Sequence, residues 1–363
     1  LRLRPGTYNV PAGLIFDPAG DKDGKDFSIT GGWNLDCSAR VTNAAATIVN
    51  AENGSLDGEF AFHGNNARYV VEGIRFTNFH YFSLDDENCG LDCPDTSAIR
   101  VRYNEFRNGV QVAVAARDAA ALTVSNNLFA NIDPNIPSGI VIVYLNAEQR
   151  PVFAFNTIAG TNCLAGGDAL LVVTERSGMV LHHNIVQSVG CVADITIGGT
   201  QPVALRNNLY GSLAGLAPSL LSGNVISTDP RFVNAAGGDY HLKETAPASA
   251  AINAGLTPAT LAALGLAGDV PSQDLDGPAG MRLVGVQHDI GAYESSINNA
   301  SVLTVTKTAD TNDGICNSDC SFREAITAAN AAPGAQKIAF AMPGNCPQLI
   351  SLGSVLPDIV DDV

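Results

Sequence analysis

Phe155-Asn156-Thr157-Ile158 and His183-Asn184-Ile185-Val186 repeat one pattern 28 residues apart, an asparagine followed by apolar or β-branched residues. Three further copies flank them: Tyr103-Asn104-Glu105-Phe106, Asn126-Asn127-Leu128-Phe129 and Asn207-Asn208-Leu209-Tyr210. The five asparagines, Asn104, Asn127, Asn156, Asn184 and Asn208, stand 23, 29, 28 and 24 residues apart. Gly223-Asn224-Val225-Ile226 is a looser sixth copy. A motif recurring at an irregular period of about 25 residues marks a solenoid.

The segments between the asparagines identify the kind of solenoid. Ala98-Ile99-Arg100-Val101, Gly139-Ile140-Val141-Ile142-Val143, Leu170-Leu171-Val172-Val173 and Ile195-Thr196-Ile197 are β-branched, and either alternate or run continuously apolar. Such runs read as strands, and Gly, Asn, Asp and Pro turns separate them. Several short strands per repeat predict a parallel β-helix, with each rung stacked on the last at about 4.8 Å. Stacked asparagines then form a side-chain amide ladder. The competing reading is that asparagine is simply common in turns.

The cysteines provide a check on the register. Cys163 lies seven residues after Asn156, and Cys191 lies seven after Asn184. If the asparagines stack, these cysteines stack too, at a Cα separation that suits a disulfide. Cys89 with Cys93, and Cys316 with Cys320, are plausible local pairs. Cys37 and Cys346 are left to stay free, to pair with each other or to bond another chain. Eight cysteines without a CxxC pattern point to an oxidising, extracellular compartment, ahead of metal binding.

Composition agrees. The 363 residues carry 20 Lys and Arg against 36 Asp and Glu, a formal charge of −16, which argues against binding a phosphate backbone. Charged residues are only 15% of the chain, while glycine is plentiful, as suits a tightly turned β solenoid. No run of about 20 apolar residues offers a membrane span, and no secretory signal stands at the start. The opening Leu1-Arg2-Leu3-Arg4-Pro5-Gly6-Thr7-Tyr8 already reads as strand and turn, which suggests a processed or truncated start. Trp33, the only tryptophan, is placed near an end of the coil.

Beyond the repeats the pattern changes. Asp229-Pro230-Arg231-Phe232, Asp239-Tyr240-His241-Leu242, Ala246-Pro247-Ala248, Ile252-Asn253-Ala254-Gly255, Asp274-Leu275-Asp276-Gly277 and Asp289-Ile290-Gly291-Ala292-Tyr293-Glu294 follow in order. This series resembles the end block of secreted bacterial choice-of-anchor Q domain proteins. That resemblance implies a right-handed parallel β-helix of the pectate-lyase-like superfamily. Further on, Thr304-Val305-Thr306-Lys307-Thr308-Ala309-Asp310, Asp313-Gly314-Ile315-Cys316 and Cys320-Ser321-Phe322-Arg323-Glu324-Ala325-Ile326 resemble the CSLREA domain, with Phe322 in place of leucine. Such a domain typically precedes a β-helix. The chain thus divides into a β-helix over 1–235, its C-terminal end block over 236–295, a linker over 296–301, and over 302–363 a CSLREA-like αβ capping element with the start of a following β-helix.

The residues of that last segment also speak for themselves. Ser321 and Glu324 have the spacing of a capping box, so each satisfies a free donor at a helix start. Phe322, Ala325, Ile326 and Ala329 then share one helical face. A short amphipathic helix of this kind suits the open end of a β-helix, whose edge would otherwise pair with other chains.

For chemistry, the strongest candidate is the acidic loop Asp85, Asp86, Glu87, Asp92 and Asp95, which could hold Ca²⁺ through carboxylate oxygens. Arg100, Arg102 and Arg107 follow it, as a Ca²⁺-dependent polysaccharide lyase would need; a solvated, disulfide-stapled loop is the structural alternative. Asp21, Asp23 and Asp26, Asp274 and Asp276, and Asp310 and Asp313 resemble partial calcium loops but suit turns. His182 and His183, if both lie on a strand, point to opposite faces and cannot chelate as a pair. Tyr103, Phe106 and Phe129 are candidates for an exposed aromatic row of a carbohydrate-binding module, although interior positions suit them better.

The leading expectation is a non-catalytic structural or adhesive β-helix, extracellular or at a cell surface, that associates with itself end to end or continues in a tandem array. A surface polysaccharide is a possible partner, Ca²⁺ the one cofactor suggested, and nucleic acid is not expected. Cys37 and Cys346 are candidate locks between units. The alternatives are a Ca²⁺-dependent polysaccharide lyase, which a net charge of −16 disfavours on acidic sugars, and a carbohydrate-binding module.

Overall fold

The computed structural model describes residues 1–10, 14–16, 26–51, 59–63, 68–85, 98–116, 121–132, 141–145, 150–163, 167–175, 178–297, 302–331, 337–344 and 347–359. Three parallel sheets wind together. Sheet 1 has nine strands, from Gly6–Asn9 to Val225–Ile226; sheet 2 has eight, from Leu14–Phe16 to Leu213–Gly215; sheet 3 has eight, from Phe27–Thr30 to Leu220–Ser222. The chain visits sheets 1, 2 and 3 in turn and returns to sheet 1, pairing each strand with its equivalent one turn earlier. This is the parallel β-helix that the repeats predict.

Equivalent residues stack in columns. Phe76, Phe106, Phe129, Ile158, Val186 and Tyr210 share one register inside sheet 1. The ring of Phe106 stacks on Phe76 at 5.4 Å and on Phe129 at 5.0 Å. Burying each ring contributes about 2 kcal/mol. Phe106 and Phe129 are therefore core residues, and Tyr103 is also buried, so these three form no exposed row.

The asparagine ladder stands as predicted. Nδ2 of Asn104, Asn127, Asn156, Asn184 and Asn208 donates to Oδ1 of the next asparagine at 3.0–3.2 Å, and Asn224 ends the run. Each Oδ1 from Asn127 onward also accepts the backbone N–H of the preceding ladder residue at 3.0 Å. Each Nδ2 donates to a backbone carbonyl one turn back, as from Asn156 to Val124. The ladder amides thus satisfy the backbone groups at the sharp corner where sheet 3 gives way to sheet 1, although Asn126 Nδ2 beside them is buried without a partner.

That corner requires left-handed backbone just before each ladder residue. Tyr103, Asn126, Phe155, His183 and Asn207 have φ between 48° and 58°. Gly73 and Gly223 serve the same corner in other turns. Glycine and asparagine tolerate this conformation, whereas for Tyr, Phe and His it persists only where surrounding contacts demand it. Those contacts come from the segment after the coil.

Residues 229–297 double back along the flank and cover the outer face of sheet 1. Leu128, Ala130 and Ala159 pack there with Tyr240, Leu275, Ala292 and Tyr293. Further along, Ile185 and Leu209 pack with Leu242, Ala251 and Ile290. The middle strands of sheet 1 are thus buried on both faces, which accounts for continuously apolar strands such as Leu128–Ala130. Strands of sheet 3, such as Ala98–Arg102, keep alternation because their outer face is more open.

Two disulfides close as expected: Cys163–Cys191, with Cα atoms 4.7 Å apart, joins adjacent turns, and Cys316–Cys320 closes a local loop. The last segment pairs Val302–Val305 with Lys337–Phe340 in parallel, and α1 (Phe322–Ala331) lies between them in sequence. Its capping box is complete: Glu324 N–H donates to Ser321 Oγ at 3.1 Å, and Ser321 N–H to Glu324 Oε2 at 2.7 Å. Ala325 packs with Val305 and Cys320, against Leu303, Phe322 and Ile338. The expected cover for an open coil end is thus used on the helix's own pair of strands, because those strands bring their own apolar face to it.

Candidate functional site

Most of the acidic loop lies outside the described residues: Asp86, Glu87, Asp92 and Asp95, with Cys89 and Cys93. Asp85 ends the strand Tyr81–Asp85. Asp21, Asp23 and Cys346 also lie outside them. Among the described residues, no group of three or more His, Cys, Asp or Glu side chains is arranged to hold a metal ion. Asp26 binds the backbone N–H of Arg68, Asp274 that of Asp276, and Asp310 the guanidinium of Arg323, so these act as structural anchors. Cys37 is a free thiol, half-buried, in the loop after the first strand of sheet 3.

The three arginines divide. Arg100 is exposed on sheet 3. Arg102 bonds Glu72 at 2.7 Å, and Arg107 bonds Glu105 at 2.5 Å and the carbonyl of Gly238 at 3.0 Å. Arg102 and Arg107 are thus neutralised by neighbours, on sheets 3 and 1 respectively.

His182 and His183 do not point apart. His182 ends its strand, and the left-handed backbone of His183 turns its ring to the same flank. The protons of this pair follow from its partners. Leu256 N–H donates to His183 Nε2 at 2.7 Å, so the neutral ring carries its proton on Nδ1. That proton faces His182 Nδ1 at 2.9 Å, so His182 carries its own on Nε2 and donates it to Asp269 Oδ2 at 3.0 Å. Arg150 completes the chain with two contacts of 2.8 Å to Asp269. Burial holds both imidazole pKa values below the ordinary range. Both rings are fully buried, so the chain is a clamp between coil and flank.

Nearby, Arg282 donates to Asn126 Oδ1 at 3.0 Å and to Glu294 at 2.7 Å, and lies over the Phe155 ring at 4.8 Å. The left-handed residues of the corner thus all receive flank contacts: Tyr103 from Ser272, Asn126 and Phe155 from Arg282, His183 from Leu256, and Asn207 through its bond to the Ala254 carbonyl.

One end of this junction opens into a cleft of about 180 Å³. The coil supplies Arg75, Glu105 and Arg107, and the flank supplies Asp239, His241, Asp276 and Tyr293. Glu105 Oε2 accepts from Arg75 Nε at 2.9 Å and from Arg107. His241 Nδ1 faces Asp239 at 2.6 Å and Nε2 faces Asp276 at 3.1 Å. The hydrogen bond to Asp276, outweighing burial, raises the His241 pKa to about 9, with Asp239 adding to it. The ring is therefore charged at neutral pH. Its face lies 4.2 Å from the Tyr293 ring. Burial, then the Glu105 carboxylate, pushes the Tyr293 phenol well above its usual pKa, so it keeps its proton.

No family model, curated protein or solved structure matches this chain. The cleft must be judged on its own chemistry. A larger hollow of about 650 Å³ sits beside Trp33 in the first turn, but its charged residues are engaged: Arg4 with the Leu35 carbonyl, and Asp36 with Ser38. The Arg2 guanidinium covers one face of Trp33 at 4.2 Å. The smaller cleft has the denser set of convergent polar groups.

Sequence reasoning passed over that cleft, although one signal for it exists. Glu105 occupies the motif position that is Leu128, Thr157, Ile185 and Leu209 in later turns, and Arg75 is its equivalent one turn earlier. Charge in two adjacent turns at a position that is uncharged in the four later turns marks a local change of surroundings. Nothing comparable singles out His241 or Tyr293.

Proposed function

We propose that this protein is a non-catalytic structural or adhesive β-helix that stacks end to end, with a further coil of a longer chain or with another copy. The observation that carries this reading is the far end of the coil. Among the described residues, the last strands of the three sheets, Leu213–Gly215, Leu220–Ser222 and Val225–Ile226, pair on one side only. Leu221 and Ile226 are 56% and 65% exposed there, beside Leu216. The chain then turns away along the flank, so its own next segment leaves that edge open. An unpaired parallel edge with apolar side chains is a template for further strands.

At the opposite end, Gly6–Asn9 and Leu14–Phe16 are the edges of sheets 1 and 2, while in sheet 3 the segment Leu1–Leu3 bonds along Phe27–Thr30; Leu1 and Leu35 are exposed nearby. Joining unlike ends is a heterologous contact that does not close, and it builds a filament. Cys37 lies in the first turn and suits a covalent lock to the next unit. The resemblance to choice-of-anchor Q and CSLREA proteins supports a secreted setting, and the two disulfides agree with it. Among the described residues no helix is long and apolar enough to cross a membrane.

Electron microscopy of the purified chain tests this reading. Filaments that repeat at one coil length support it, and Leu221→Asp with Ile226→Lys then shortens them. Isolated rods at high concentration, unchanged by those substitutions, would refute self-stacking between copies.

A further inference from the structure

The cleft between coil and flank holds free hydrogen-bonding capacity that the protein does not use. Tyr293 is only 6% exposed and lines the cleft, yet among the described residues its hydroxyl makes no hydrogen bond. Glu105, Arg107, Asp276 and Arg75 line the same cleft. Glu105 is 3% exposed, and among the described residues the arginines hydrogen-bond its Oε2 and none bonds Oε1. The Tyr293 hydroxyl is therefore left for whatever enters the cleft.

From this we infer that the cleft binds one neutral polyhydroxylated unit, of the size and chemistry of a single sugar ring. Charge selects against ions. Three cations, Arg75, Arg107 and His241, face three carboxylates, Glu105, Asp239 and Asp276, so neither an anion nor a cation meets a net opposite charge. The unused capacity is mixed instead: the phenol both donates and accepts, Glu105 Oε1 accepts, and guanidinium N–H groups donate. Hydroxyl groups, which donate and accept at once, match that mixture. The Tyr293 and His241 rings, tilted against each other with centroids 4.2 Å apart, line the cleft and supply an apolar wall for C–H faces. The site lies on the flank, near the first turns, so it does not depend on stacking at the ends.

The test uses the full chain at pH 7 and saturation-transfer NMR with glucose, galactose, mannose and myo-inositol, and with sulfate and tetramethylammonium as charged probes. At least one neutral polyol is expected to bind in the millimolar range, and the charged probes are not. Tyr293→Phe is expected to weaken that binding roughly five- to tenfold, one hydrogen bond's worth. The melting temperature should hold, because the hydroxyl bonds nothing among the described residues. If no polyol binds, the cleft holds only water and the proposal fails. Preference for sulfate or tetramethylammonium, or equal polyol binding by Tyr293→Phe and the native protein, would overturn it as well.

Discussion

His183 donates its Nδ1 proton to Nδ1 of His182 across 2.9 Å, and this contact fixes both rings as neutral. A proton added to His182 would set two N–H groups against each other. Nitrogen-15 NMR at pH 7 should find His183 protonated on Nδ1 and His182 on Nε2; the opposite tautomers would contradict the assignment. Asp269→Ala removes the acceptor at the end of the chain and leaves Arg150 and His182 without their partner. Losing one member of a buried pair costs about 3 kcal/mol, to be read as a lower denaturation midpoint. An unchanged midpoint would show that the clamp does not hold the flank.

His241 and His288 give the flank opposite pH limits. His241 is raised to about 9 in the folded protein, chiefly by its bond to Asp276. Its contribution is full below 6.5 and is lost as pH rises from 6.5 to 9. His288 is lowered to about 4, chiefly by burial. Its contribution is full above 6.5 and is lost as pH falls from 6.5 to 4. Asp274, raised to about 6 by burial, runs against His288 on the acid side, so difference curves are the diagnostic measurement. Relative to His241→Gln, the native protein should lose its advantage between pH 6.5 and 9. Relative to His288→Asn, it should lose stability from pH 6.5 down to 4. Parallel curves for either pair would contradict the corresponding assignment.

Asn156 bonds both neighbouring turns through one buried amide. Asn156→Ala removes the acceptor of the Asn127 backbone N–H, one acceptor of its side-chain amide and the donor to the Val124 carbonyl, and should cost about 3 kcal/mol by urea denaturation. Asn108 belongs to a second column, in which Asn131 donates to it at 3.4 Å at an exposed site. Asn108→Ala should cost less than 1 kcal/mol beyond its left-handed backbone requirement. Equal losses would mean that burial does not set the ladder's strength.

The Cys163–Cys191 bridge closes a span of 28 residues between adjacent turns. Cys163→Ser with Cys191→Ser should lower stability by about 3 kcal/mol through the freer unfolded chain. The double variant should keep its β-sheet circular dichroism, because the strand register there is also set by Asn156 and Asn184. Loss of that signal would show that the disulfide, not the ladder, holds the turns together.

The coil was legible because its determinants repeat. Each ladder asparagine meets the same residue type one turn later, so spacing alone gave the stack, the register and the Cys163–Cys191 pair. The capping box of Ser321 and Glu324 was legible because it spans three residues. Even the burial of the middle of sheet 1 on both faces is written in Leu128-Phe129-Ala130, beside the alternation of Ala98–Arg102. A second asparagine column, including Asn50, Asn78, Asn108 and Asn131, was equally open to that reading but was overlooked.

The cleft was not legible, and neither was the histidine clamp. Glu105 and Tyr293 lie far apart in sequence, in segments with unlike patterns, and His182 finds Asp269 in a stretch with no repeat. Periodicity predicts a contact only between equivalent positions of neighbouring turns. Where a non-repeating segment lies against a repeating one, shape and burial choose the partners, and those exist only once the coil has formed. Residues 1–226 therefore carry their own architecture in sequence, while the path of residues 229–297 along the flank, and the site it creates, were decided by tertiary packing.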